Sequence, residues 1–207
     1  IVDNWRGIHV IPEKGALLPY NRVIAMYGNF YSKHMGISGK ISEDALISLL
    51  QKEQETWENA DTLTAVIPAI HYIAITAQSK PGKGKTYRLR MPPKQIEKAI
   101  DLSRKIKGIT FLDVQVGHST VQKEVPTLET FLLNPDVHLG IDPEWSMKKG
   151  EIPGSKIGTM DAADVNFVIE YLSELVKAHN LPPKILVVHR FNKGMVTNHE
   201  KIIPTPQ

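Results

Sequence analysis

Asp142 and Glu144 stand two residues apart at the end of an apolar run, in Val137–Asp142 (VHLGID) followed by Pro143-Glu144-Trp145. Side chains at i and i+2 of a strand project to the same side, so the two carboxyl groups share a face if the strand persists through Pro143. Asp113 and Gln115 repeat the arrangement in Ile109–Gly117 (ITFLDVQVG). Two carboxylates at the ends of neighbouring strands are what acid/base hydrolysis of a glycosidic bond requires. In that chemistry Glu144 is the expected proton donor, its pKa raised by Asp142 and by an apolar wall at Trp145. Asp142 or Asp113 is the carboxylate partner.

Each residue also has a plainer reading. Asp142 before Pro143, like Asp161, has the type and position of a turn or helix cap, and Gln115 suits a packed barrel layer. Further polar groups fall at the ends of apolar runs, namely Asn29, His71, His118, His189, Arg190 and Asn192. Buried without partners, such groups cost several kcal/mol each, so they must pair with one another or face a wet cavity. Asn29, His71, Gln115, His118, Trp145, His189 and Asn192 are therefore the expected substrate-binding residues. Tyr27, Phe30, Tyr31, Tyr72, Trp145 and Phe191 lie near the same ends. Aromatic rings stack on the C–H faces of sugars, although core packing explains them almost as well.

The eight histidines include no His-x-His or His-Glu-x-x-His spacing, so histidines satisfied in the core or at the rim are favoured, and neither metal nor cofactor is expected. A metal site would have to be assembled across strands, for instance from His71, Asp113 and His189. The absence of cysteine removes thiolate nucleophiles and Cys-ligated zinc. Gly117-His118-Ser119 is not a nucleophile elbow, and Lys83-Gly84-Lys85-Thr86 lacks the first glycine of a phosphate loop. A net charge of +3 is too small and too scattered for a nucleic-acid surface. Its one concentration, Lys80–Arg90 (KPGKGKTYRLR), reads as a solvated loop, because Gly82 and Gly84 make it flexible.

Positioning these residues calls for strands with little exposure. Arg22–Asn29, Thr64–Ala74, Ile109–Gly117, Val137–Asp142 and Lys184–Phe191 are continuous apolar runs rich in β-branched residues, the mark of parallel strands covered on both faces. Helical periods lie between them. One runs from Ser42 to about Asn59, another from Pro92-Pro93 to Gly108. A third runs from about Ser119 or Thr120 to Leu133 with a bend at Pro126, and a fourth from near Asp161 to His179-Asn180. This β-α order predicts parallel crossover units. Long, chemically loaded strand-to-helix loops favour a (β/α) barrel of the TIM type over an open doubly wound sheet. The 207 residues are read as one such domain with residues 1–20 as lead-in. Eight units need a longer chain, so the barrel is expected to be incomplete, with Lys201–Gln207 leading into a further strand.

Taken together, Tyr27-Gly28-Asn29, Leu112–Gly117, Ile141-Asp142-Pro143-Glu144-Trp145 and Asp161–Asn166 (DAADVN) resemble a family of uncharacterised bacterial secreted proteins and lipoproteins with glycosidase-like barrels. The resemblance spans about Pro19 to Asn198. It implies an extracytoplasmic location and, with Ile1 in place of a starting Met, a leader or lipid anchor on a removed segment. Chitinase-like barrels also end a strand in Asp-x-Glu, but their fuller Asp-x-x-Asp-x-Asp-x-Glu is absent here, because only Leu139-Gly140-Ile141 precedes Asp142. The leading expectation is a glycoside hydrolase-like protein acting on a polysaccharide by carboxylate acid/base catalysis. The alternatives are a non-catalytic barrel that binds a carbohydrate or other small polar ligand, or a partner, at the same rim, and a metal-dependent hydrolase. No partner nucleic acid and no membrane-spanning segment are expected, since no apolar run approaches ~20 residues.

Overall fold

The computed structural model describes residues 10–207; the start of the lead-in, with His9, lies outside the described residues. Five strands run parallel in one sheet: β1 (Asn21–Gly28), β2 (Ala65–Ala77), β4 (Ile109–Val114), β5 (Val137–Ile141) and β7 (Leu186–Val188). Their spatial order is their chain order. Because crossovers between parallel strands are right-handed, an unreversed order sends every connecting helix to the same face. A doubly wound sheet, in which the order reverses at a switch point, is thereby excluded. The sheet forms a half-barrel; among the described strands, β1 pairs with β2 alone and β7 with β5 alone.

The helices follow the expected periods. In α1 (Glu43–Ala60) the Ser42 hydroxyl accepts the Ala45 amide N–H, an N-cap, and Leu46 and Leu50 bury the inner face. Pro93 opens α2 (Pro93–Lys105), where its missing N–H costs nothing. The segment read as one bent helix is two short ones, α3 (Val121–Glu124) and α4 (Glu129–Leu132), separated by a 3₁₀ turn over Val125–Leu128. Pro126 lacks the N–H that a continuous ladder needs there. In α5 (Ala162–His179) Asp161 and Asp164 form a reciprocal capping box, and Asn180 ends the helix in a left-handed conformation.

Alternation along the strands separates two apolar layers. Ile70, Tyr72, Leu112, Val114, Leu139 and Ile141 pack with the helices in the main core. Ala69, Ile109 and Phe111 form a smaller cluster with Val23, Ile67, Ile185 and Val187, and this second layer is the inner face of the half-barrel. Among the described residues, no helix is long and apolar enough to cross a membrane.

Two features depart from the sequence reading. The basic segment is not solvated loop throughout, because its end forms β3 (Arg88–Arg90), which pairs antiparallel with the end of β2. Arg88 and Arg90 each donate at 2.8 Å to Glu124, whose carboxylate is fully buried and also accepts from Ser119. These partners hold the carboxyl of Glu124 below its ordinary pKa although burial pulls the other way. Secondly, a two-stranded parallel ladder joins β6 (Met160–Asp161) to β8 (Val196–Thr197). Both strands are too short for a periodic signal. Lys201–Gln207, expected to lead into a further strand, runs along α5, where the Asn166 amide bonds Lys201 and Ile203 and the hydroxyls of Ser173 and Thr205 lie 2.7 Å apart.

Glu124 is thus the clamp that ties the β2–β3 hairpin to α3. Its replacement by Ala is expected to lower stability by about 2 kcal/mol in urea unfolding, a modest loss because the exposed Arg90 can return to water. A loss below about 0.5 kcal/mol would show that the clamp is dispensable.

Candidate active site

The parallel strands deliver the candidate residues to their carboxyl-terminal ends on the inner face. In β2 the pleat sends His71 inward between the core residues Ile70 and Tyr72. Asp113 alternates in the same way between Leu112 and Val114 in β4. His189 follows β7 directly. The Nε2 atoms of His71 and His189 lie 3.1 and 3.0 Å from the same oxygen of Asp113, Oδ1, and the Tyr27 hydroxyl donates to the other, Oδ2, at 3.2 Å. The Gln115 amide donates to the Tyr27 oxygen at 3.3 Å and its carbonyl accepts the Ala77 N–H.

Asp113 has no exposure to solvent. Burial alone would raise its pKa, but the hydrogen bonds from His189 and His71 and their electrostatic attraction outweigh it, and the carboxyl is held well below the usual range. The same pairing raises the pKa of His189 despite burial. The phenol of Tyr27 is pushed far above its ordinary value by burial and then by the Asp113 charge, so it stays a donor. Gly140 on β5 makes the arrangement fit, since a Cβ there would lie 2.5 Å from Asp113 Oδ1 and 2.6 Å from His71 Nε2.

A cavity of about 660 Å³ opens over this cluster. Asp142, Glu144 and Gln115 supply polar groups to its wall together with His71 and His189, and Tyr27, Trp145 and Phe191 supply aromatic rings. The strand does not persist through Pro143: β5 ends at Ile141, and Pro143–Trp145 is a 3₁₀ turn capped by Asp142, whose Oδ1 accepts the Glu144 N–H at 3.2 Å. The capping role read from Asp142-Pro143 is therefore real, and the Asp142 side chain still borders the cavity. Its pKa is pushed up to about 7, first by burial, then by the negative charge of Asp113, with His189 opposing. The carboxyl poised near neutrality is that of Asp142, whereas the sequence assigned proton donation to Glu144.

The expected binding residues divide. His71, Gln115, Trp145 and His189 meet at this cavity. Asn29 is fully engaged elsewhere: its amide donates to the Ile73 carbonyl and the Tyr72 hydroxyl and accepts from the Tyr31 N–H, and it borders a neighbouring cavity of about 480 Å³. His118 stacks on Tyr87 at 4.5 Å and its Nε2 lies 2.5 Å from the Glu151 carbonyl oxygen. Asn192 caps the 3₁₀ turn Lys193–Met195 through the Gly194 N–H. The structure does not bring these three to the cavity: each has hydrogen-bond partners of its own away from it. His34 and Met35 border the cavity from the loop after β1; that loop shows no periodic signal. The structural part played by Tyr27 and Gly140 depends on contacts across strands, which no local pattern encodes.

Comparison with protein-family models, curated proteins and solved structures finds no match to this chain.

Proposed function

We propose that the inner-face cavity is the active site of a hydrolase acting on a carbohydrate chain by acid/base catalysis, with Asp142 as proton donor and Glu144 as its carboxylate partner. The observation that carries this reading is the single carboxyl group raised to about 7 at the wall of a cavity that also presents Glu144 and three aromatic rings. A catalytic acid works best with a pKa near the operating pH, and burial beside a like charge is the usual means of reaching it. The aromatic rings offer stacking faces while Gln115 and His189 offer hydrogen bonds, which is the mixture a sugar ring requires.

Asp113 is not the partner in this scheme. Both its oxygens are taken by three donors and neither reaches solvent, so it acts by holding His71, His189 and Tyr27 and by raising Asp142. The substrate class that goes with this reading is an envelope or environmental polysaccharide.

Screening purified protein against a panel of oligosaccharides, with reducing-end release as readout, tests the reading. Glu144→Gln is expected to reduce turnover of any substrate found by about 10²-fold with the fold intact, as judged by circular dichroism. Tight oligosaccharide binding without turnover would contradict catalysis and leave a binding pocket. Unchanged hydrolysis by Glu144→Gln would remove Glu144 from the chemistry.

A further inference from the structure

The acid/base scheme leaves His71, Asp113 and His189 as mere supports, yet their geometry is that of a ligand set. We propose that Nε2 of His71, Nε2 of His189 and Oδ1 of Asp113 bind a divalent d-block metal ion of the zinc class at the floor of the cavity. This does not depend on the role assigned to Asp142 and Glu144.

Four observations converge on it. The three ligand atoms come from three different strands or strand ends and lie within 4.8 Å of one another. Around a four-coordinate ion with bonds of about 2.0–2.1 Å, ligand atoms stand roughly 3.3 Å apart, close to the 3.0 and 3.1 Å seen between each imidazole and Asp113. Both histidines turn the same nitrogen to the same carboxylate oxygen, which a single cation can bridge. The other oxygen of Asp113 is held by the Tyr27 hydroxyl, itself fixed by Gln115, so an outer group already orients the ligand.

Two imidazoles and one carboxylate are borderline donors that suit Zn²⁺, Co²⁺ or Fe²⁺ better than Mg²⁺ or Ca²⁺. His71 and His189 both border the cavity, so the remaining coordination positions face it, the arrangement of a catalytic rather than a structural site. To ligate, each imidazole must free the Nε2 that now faces Asp113 of its proton. A neutral ring does so by moving the proton to Nδ1, and a charged ring by releasing it to solvent.

Metal-stripped protein titrated with Co²⁺ alone, followed by visible absorption and by thermal unfolding, tests the proposal. The wild type is expected to bind one equivalent, gain ligand-field bands and rise in Tm. His189→Gln, at a partly exposed position where the amide can still donate to Asp113, is expected to weaken binding at least 100-fold, and Tyr27→Phe by 10- to 100-fold. His118→Asn, which alters a histidine outside the set, is expected to bind as the wild type does. Absence of a stoichiometric Co²⁺ spectrum in the folded wild type, or equal affinity in His189→Gln, overturns the assignment. Because binding and Tm are read without substrate, failure here is distinguishable from failure of the hydrolase reading.

Discussion

Replacing Asp142 by Asn is expected to lower turnover by about 10³-fold and, above neutral pH, to make the protein more stable. The first effect follows from removing the carboxyl proton that the cavity wall holds near neutrality. The second follows from linkage. The carboxyl of Asp142 has a pKa of about 7 in the folded protein and close to 3.9 in an unfolded chain. Below about pH 4 both states are protonated and there is no penalty. As the pH rises from there through 7, the unfolded chain releases a proton that the folded protein keeps, so folded stability declines and the full cost is reached above pH 7. A displacement of that size corresponds to about 2–4 kcal/mol at pH 8, and an Asn, which does not ionise, avoids it. Thermal unfolding at pH 4 and pH 8, with chelator present, should show the Asn variant gaining on the wild type only at the higher pH. An equal difference at both values would mean that Asp142 is not a strained carboxyl. A substitution that costs activity and adds stability is the trade expected of a functional residue.

Gly140→Ala is the second large effect. The methyl group would meet Asp113 Oδ1 and His71 Nε2 at 2.5 and 2.6 Å, inside any allowed contact. Neither atom can retreat freely. Asp113 is pinned by three donors, and the His71 ring is stacked on Phe111, with centroids 5.2 Å apart. The methyl group therefore either breaks a buried imidazole–carboxylate contact or displaces β5 from β4. Overpacking of this kind combined with loss of a buried polar contact should cost about 3 kcal/mol in denaturant unfolding. Co²⁺ binding should be lost in the molecules that still fold. A stability within about 0.5 kcal/mol of wild type would show that the cluster has room to rearrange.

Much of the scaffold was legible because burial writes itself into parallel strands as continuous apolar runs and into α1, α2 and α5 as helical periods. Asp113, Asp142, Glu144, His71 and His189 stood out because ionisable side chains at the ends of such runs are costly unless they share a site. Less legible were the features set by distance across strands. His71, Asp113 and His189 are separated by 42 and 76 residues, and no spacing within a segment announces that two imidazoles meet one carboxylate oxygen. Nor does sequence show which of Asp142 and Glu144 is the more buried. The turn begun by Pro143 decides it, leaving Asp142 at the last inward position of the sheet and Glu144 in the 3₁₀ turn. Asn29, His118 and Asn192 shared the same compositional signal, and hydrogen-bond partners outside the cavity engage them.

The central claim is that burial and the charge of Asp113 make Asp142 the acid of this cavity. A ¹³C NMR pH titration of the side-chain carboxyl groups in metal-stripped protein, with Asp142 assigned from the spectrum of the Asn variant, measures it directly. A midpoint near 7 is predicted. A midpoint near 4, the value of an ordinary aspartate, would contradict the account.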